Sequence, residues 1–296
     1  MNEKVPIKTL QQCFDQNEHF NFGIKDMKPR TEGKKFNRKP HRHDFYFVLF
    51  IHKGSGYHTI DFKSYKITDY SVFFVSPGQV HSLQLDENAE GFAIFFKPEF
   101  YLLDSNLKKL LDFPFFHTLS NEPALFLDKE RYEVVQHNIK DIFDEYSNFE
   151  IGRNNVIRAY IDILLVKLSR YYQKETLAGE PLRATYLLRE LENLIDHNYI
   201  SVRSATEYSN MMNISAKHLS DITRKALNKT ITNLIHERIV IEAKRLLLYT
   251  DYTVSQVAYE LEYFDKSYFL RFFKKNVGLT PETFRKKHLQ NISAKV

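Results

Sequence analysis

His41, His43 and His81 are the side chains of the N-terminal half with the most chemistry to offer. A His-x-His pair places two imidazoles on one face of an extended strand, and a third ring from a neighbouring strand completes a set able to hold a divalent metal. The same rings can instead hydrogen bond among themselves at the mouth of a β-barrel, or contact a polar small molecule. Elements suited to positioning them are legible around them. Short aromatic and β-branched runs at 45–51, 57–62, 71–75 and 91–96 read as strands between Gly, Pro, Asp and Asn punctuation, with Gly54-Ser55-Gly56 as the turn between the first two. Tyr46, Tyr57, Tyr65, Phe74 and Phe95 then either line a ligand pocket or fill the core. No nucleophile and base pair and no phosphate loop stands elsewhere, and 152–155, Gly-Arg-Asn-Asn, reads as a loop.

A second functional pattern lies in 201–287, where one helical plan occurs twice. Tyr208, Ser209, Met212 and Ile214 form a short amphipathic helix and tight turn, and Ser215 opens a second helix that turns Leu219 and Ile222 inward. Val257, Ala258, Leu261 and Tyr263 repeat the first set at an offset of 49; Asp265, Phe269 and Phe272 repeat the second at 50, so the second turn holds one extra residue. Asn228 matches Gly278, and Thr230 matches Thr280, residues fit for a left-handed helix end and a following cap. The pattern predicts two helix-turn-helix units joined by a helix over 231–248, roughly 27 Å long at 1.5 Å per residue. Ser215, Lys217, His218, Ser220, Asp221 and Arg224 then form the DNA-facing set of the first unit, with Lys217 and Ser220 at base edges. Lys266, Ser267, Leu270, Arg271 and Lys274 form that of the second, with Arg271 suited to guanine or phosphate.

Charge agrees with this placement. Residues 181–296 hold 18 Lys and Arg against 12 Asp and Glu, a net of +6, whereas 1–180 hold 24 against 25, a net of −1. Lys266, Arg271, Lys274, Lys275, Arg285, Lys286 and Lys287 gather in and after the second exposed helix, as phosphate neutralisation requires. At 296 residues and 43% hydrophobic content the chain can build two domains with cores. Its single cysteine, Cys13, excludes an internal disulfide framework and points to a reducing cytoplasm. No stretch reads as a membrane span, and Glu3, Lys4, Pro6 and Lys8 interrupt the N-terminus where a signal peptide would be apolar.

The C-terminal hundred residues resemble the AraC/XylS family of bacterial transcription regulators. The resemblance rests on Asp265-Lys266-Ser267-Tyr268-Phe269-Leu270-Arg271-Phe272-Phe273-Lys274-Lys275, then Gly278-Leu279-Thr280-Pro281-Glu282-Thr283-Phe284-Arg285, and on Arg238-Ile239, Ala243 and Leu246-Leu247 in the connecting helix. Two positions depart from it: Glu262 replaces a glycine in the second turn, and Thr223 replaces an aromatic in the first recognition helix. Ahead of this region, Tyr132, Val135, Ile139, Ile142 and Tyr146 mark one helix, and Ile157, Tyr160, Ile161, Leu164, Leu165 and Leu168 another, with a polar break over 147–155. A small barrel followed by a helix pair is similar to the cupin-like effector and dimerisation domain of such regulators. Cupin enzymes add a glutamate after the His-x-His pair, but Phe47 and Val48 stand there, and Pro77-Gly78-Gln79-Val80-His81 keeps only part of the second cupin motif. No metal and no cofactor is therefore expected, and His41, His43, Tyr57 and His81 are assigned to an effector of unknown identity.

The reading is an α+β multidomain chain. A cupin-like β-barrel with a two-helix dimerisation segment spans 1–172, a linker 173–180, and an all-α pair of helix-turn-helix units 181–296. The resemblance implies a cytoplasmic, homodimeric activator whose partners are double-stranded DNA, RNA polymerase and a small-molecule effector. The competing readings are a metal-dependent cupin enzyme fused to a DNA-binding module and an architectural DNA-binding protein without effector.

Overall fold

The computed structural model describes residues 7–8, 21–101, 110, 113–116, 122–176 and 182–293, and the chain divides into two compact units, Pro6–Gly179 and Glu180–Val296. In the N-terminal unit the strands are β1 (Ile7–Lys8), β2 (Phe22–Asp26), β3 (Phe36–His43), β4 (Tyr46–Lys53), β5 (Gly56–Ile60), β6 (Lys63–Ile67), β7 (Ser71–Val75), β8 (His81–Leu85), β9 (Glu90–Phe96) and β10 (Ala124–Phe126). They form two five-stranded sheets, β1-β3-β8-β5-β6 and β10-β7-β4-β9-β2. All pairings are antiparallel except β1 with β3. Two single-turn helices, α1 (Lys28–Thr31) and α2 (Pro98–Tyr101), accompany them.

Strand composition follows from which faces are covered. In β4, Phe47, Leu49 and Ile51 join a core with Ile60, Phe73, Leu83 and Leu85, drawn from both sheets. Val48 and Phe50 on its other face join Val72, Phe74, Ile94 and Phe96 in a second core, closed by helices α3 (Lys129–Ser147) and α4 (Arg153–Thr176). A strand buried on both faces reads as a continuous apolar run, and β4 and β7 do so. Strands β5 and β8, with one solvated face, alternate instead. The helix stripes predicted around Tyr132, Val135, Ile139 and Ile142, and around Ile157, Ile161, Leu164, Leu165 and Leu168, are buried in that second core. Asp128 caps α3 by accepting from the Arg131 amide at 2.8 Å, and Lys167 of α4 donates to the buried Asn138 of α3 at 2.7 Å.

Helix α4 continues through Gln173 to Thr176, so the linker expected at 173–180 begins later than the polar composition suggests: four polar residues extend the helix rather than break it. The rest of that segment, 177–181, lies outside the described residues.

The C-terminal unit is all helical: α5 (Leu182–Asn198), α6 (Ala205–Met211), α7 (Ala216–Leu227), α8 (Ile231–Tyr249), α9 (Val254–Glu260), α10 (Lys266–Val277) and α11 (Pro281–Ser293). Helix α8 is its spine, touching α5, α9, α10 and α11. Its buried side of Ile231, Leu234, Ile235, Ile239, Ala243, Leu246 and Leu247 is the one the periodicity marks, and Thr230 caps it by accepting from the Asn233 amide at 3.1 Å. No described helix is long and apolar enough to cross a membrane.

Candidate nucleic-acid interface and effector cavity

The two turns are built the same way. Ile214 donates its amide to the Ser209 carbonyl at 3.1 Å, and Tyr263 donates to that of Ala258 at 2.8 Å. Ser209 and Ala258 are buried, and small side chains there let the paired helices cross closely. Each turn passes through the left-handed region, at Asn213 with φ 53° and Glu262 with φ 53°. Asparagine tolerates that conformation; glutamate bears its cost of roughly 1–2 kcal/mol. Replacing Glu262 by glycine should therefore raise the stability of the C-terminal unit by about 1 kcal/mol, read as a higher urea midpoint with unchanged slope. An unchanged or lower midpoint would contradict the strain. The extra residue of the second turn is Phe264, 94% exposed.

Caps then set the recognition helices. Ser215 accepts from the His218 amide at 3.2 Å to start α7, and Asp265 accepts from the Ser267 amide at 2.7 Å to start α10. Both helices end in left-handed residues, Asn228 with φ 52° and Gly278 with φ 80°. Lys217, His218, Asp221 and Arg224 are exposed on α7, with Ser220 half-buried; Lys266, Ser267, Arg271 and Lys274 are exposed on α10, with Leu270 half-buried. The inward face of α7 differs from the expected Leu219 and Ile222: Ile222 is half-buried, and Thr223 is fully buried one turn after Leu219. Its hydroxyl is satisfied inside the helix, donating to the Leu219 and Ser220 carbonyls at 3.1 and 3.0 Å.

Arg285, counted above among the phosphate-neutralising cations, is used elsewhere. It donates to the carbonyls of Leu247 and Tyr252 at 2.7 and 2.5 Å, satisfying backbone groups at and beyond the end of α8. Lys286 and Lys287 remain exposed. A second cationic network passes unnoticed in sequence. Arg238 donates to Asp196 at 2.7 Å and to Glu242 at 3.2 Å, Arg245 donates to the same Glu242 oxygen at 3.0 Å, and the Arg238 guanidinium lies 4.1 Å from the centre of the Tyr199 ring. Burial alone would raise the Glu242 carboxyl, but Arg245 and Arg238 outweigh it and hold it below the usual carboxylate range.

In the N-terminal unit, the period of two puts His41 and His43 on the same face of β3, register sets His41 opposite His81, and His58 of β5 lies diagonally across from His81. All four are buried, His58 completely. Gly56 keeps β5 close: a Cβ there would lie 2.0 Å from the Gln84 carbonyl oxygen of β8. His43 and His81 meet Nε2 to Nε2 at 2.9 Å, and His58 Nε2 meets His81 Nδ1 at 2.9 Å. Burial first, then His43 and His41, push the His58 imidazole down to about 3, so it is neutral at physiological pH. His41 and His81 line a cavity of about 70 Å³ whose wall also holds Lys25, Arg30, Arg38 and Phe95.

Tyr57, assigned above to the effector, is 53% exposed on the outer face of β5. Its neighbour His58 takes the inward position, because successive strand residues face opposite ways. His58 is the site residue that sequence reading missed; the signal was its place two residues after Gly56 at the start of an alternating strand.

Two family models match this chain, one described as an AraC-like ligand binding domain over residues 30–155 and one as a helix-turn-helix domain over residues 208–287, together more than two thirds of its length. The chain belongs to the AraC family of transcriptional regulators. Among its relatives, the HTH-type transcriptional activator RhaR of Cronobacter sakazakii is 23% identical over 83% of this chain and 86% of that protein. RhaR of Mannheimia succiniciproducens is 21% identical over 93% and 98% respectively. The crystal structure of ToxT from Vibrio cholerae O395 aligns over 90% of this chain and 97% of that one, at 15% identity and a TM-score of 0.40. Within this AraC-family regulator both departures noted in sequence are accommodated locally, Thr223 by its intrahelical hydrogen bonds and Glu262 by a left-handed turn.

Proposed function

We propose that this regulator activates transcription by placing α7 and α10 in successive major grooves of one duplex face, and that its N-terminal unit adjusts this binding in response to a small-molecule effector. The duplicated, separately capped turn carries the reading. Helix α8 supports it: at 19 residues it is about 28 Å long, which with its turns matches the roughly 34 Å between successive major-groove faces. The match of residues 30–155 to an AraC-like ligand binding domain supports the effector role, and activation is what the RhaR relatives are named for. RNA polymerase is the implied partner on promoter DNA, and the protein acts in the cytoplasm by binding rather than by catalysis. Val156 and Ile163, exposed seven residues apart on α4, support a homodimer through that face.

Genome-wide mapping of bound sites combined with transcript measurement tests the reading. Promoters occupied by the wild-type protein should lose transcript in a deletion strain and in a Lys217→Ala, Arg271→Ala strain. Transcripts that rise at those promoters would make it a repressor, and unchanged transcripts would remove the regulatory role.

A further inference from the structure

Four buried histidines converge on the inner face of the β3-β8-β5 sheet segment, and contact with DNA requires none of them. We propose that His41, His43 and His81 bind one divalent transition-metal ion of the zinc class, with His58 as the positioning residue for His81. The site lies beside the effector cavity, and it rests on the reading above only for its place in the regulatory unit.

Candidate ligand nitrogens of His41, His43 and His81 all lie within 4.8 Å of one another. The tautomers are set by the backbone. His41 Nδ1 meets the Lys39 carbonyl at 2.9 Å, and His43 Nδ1 meets the Phe45 carbonyl at 3.1 Å. A carbonyl only accepts, so both Nδ1 atoms carry the hydrogen and both Nε2 atoms present the lone pair that a metal takes. Two nitrogens sharing a tetrahedral ion at bonds of about 2.0–2.1 Å stand roughly 3.3 Å apart, so the His43 and His81 Nε2 atoms, 2.9 Å apart, need only a small opening to admit it. His58, meeting His81 at Nδ1, supplies the outer contact that fixes a ligating imidazole's orientation.

The missing carboxylate does not remove the site. Phe47, standing where cupin enzymes carry a glutamate, packs its ring 5.2 Å from that of His81 and forms an apolar wall. Three neutral imidazoles are a sufficient zinc set and leave a coordination position open. His41 and His81 border the cavity, whose Lys25, Arg30 and Arg38 favour water or a small anion as the remaining ligand. The expectation of no metal rests on the absent carboxylate and the incomplete second cupin motif, neither of which takes account of His58.

The test uses the full-length chain, stripped with a chelator and titrated separately with Co²⁺ and Zn²⁺. The wild-type protein should take up one ion per chain, and Co²⁺ should give the visible absorption of a nitrogen-ligated, low-coordinate site. His43→Ala and His81→Ala should abolish uptake. His58→Ala should weaken it about 10- to 100-fold, with His58→Gln restoring part of the loss. Absence of stoichiometric uptake by the wild-type protein overturns the site outright, even if an alanine variant fails to fold. Uptake unchanged in folded His43→Ala and His81→Ala overturns the ligand assignment, and uptake unchanged in His58→Ala overturns the positioning role. The readout is ion binding, so its failure leaves DNA binding and activation standing.

Discussion

Glu242→Ala should destabilise the C-terminal unit by about 3–5 kcal/mol, because it removes the carboxylate that Arg245 and Arg238 share. Arg245 is 2% exposed, and a buried guanidinium that loses a carboxylate partner keeps its desolvation penalty with less of the matching attraction. Arg238 retains its ion pair with Asp196. Replacing both Glu242 and Arg245 by leucine should recover much of the loss, since well-packed apolar side chains of similar volume often equal a buried ion pair. Denaturant unfolding of the wild-type protein, Glu242→Ala and the double leucine variant provides the check; a Glu242→Ala cost under about 1 kcal/mol would show the network to be incidental. The pH dependence has a definite sign. The folded Glu242 carboxyl titrates below its unfolded value, so its contribution is complete above the unfolded pKa and is lost as the pH falls through the folded one. Acid unfolding of the wild-type unit should therefore include a stability loss absent from the double leucine variant.

Lys217→Ala and Arg271→Ala should each weaken specific binding by about 1–3 kcal/mol, roughly 5- to 150-fold, at separate positions of the site. The two recognition faces are not equivalent. At the offset of 50, Ser220 corresponds to Leu270, Asp221 to Arg271 and Arg224 to Lys274. An aspartate accepts from the cytosine amino group, whereas an arginine donates to guanine. The two half-sites should therefore differ in sequence although the two units share a fold. Selection of binding sites from random DNA by the wild-type protein and each variant would reveal this: each substitution should relax preference in one half only. Equal relaxation across the whole site would assign both side chains to phosphate instead.

What was legible in the sequence was local. Ser215, Asp265, Thr230, Asn228 and Gly278 announce helix ends because capping and left-handed geometry belong to single residues. The apolar runs of β4 and β7 are legible because both faces are covered. Strand β3, Phe-Asn-Arg-Lys-Pro-His-Arg-His, is not, because pairing with β8 rather than propensity makes it a strand. Helix α5 carries Leu187, Leu191 and Ile195 at helical spacing, but its start is obscured in the sequence by the polar stretch that precedes it. Tyr57 and His58 show how one residue of register exchanges an effector contact for a surface side chain. Arg285 looks like an ordinary helix-surface charge until α11 packs against α8, and Glu242 reads as a surface partner of Arg238 and Arg245 on its own helix because only the packing of α8 reveals that Arg245 is buried.

Hydroxyl-radical footprinting of the full-length protein on its selected site tests the two-helix reading of DNA most directly. Two protected windows should appear on one face of the duplex, about 10–10.5 base pairs apart. Lys217→Ala should erase protection in one window and Arg271→Ala in the other. A single protected window, or both substitutions acting on the same one, would contradict the account.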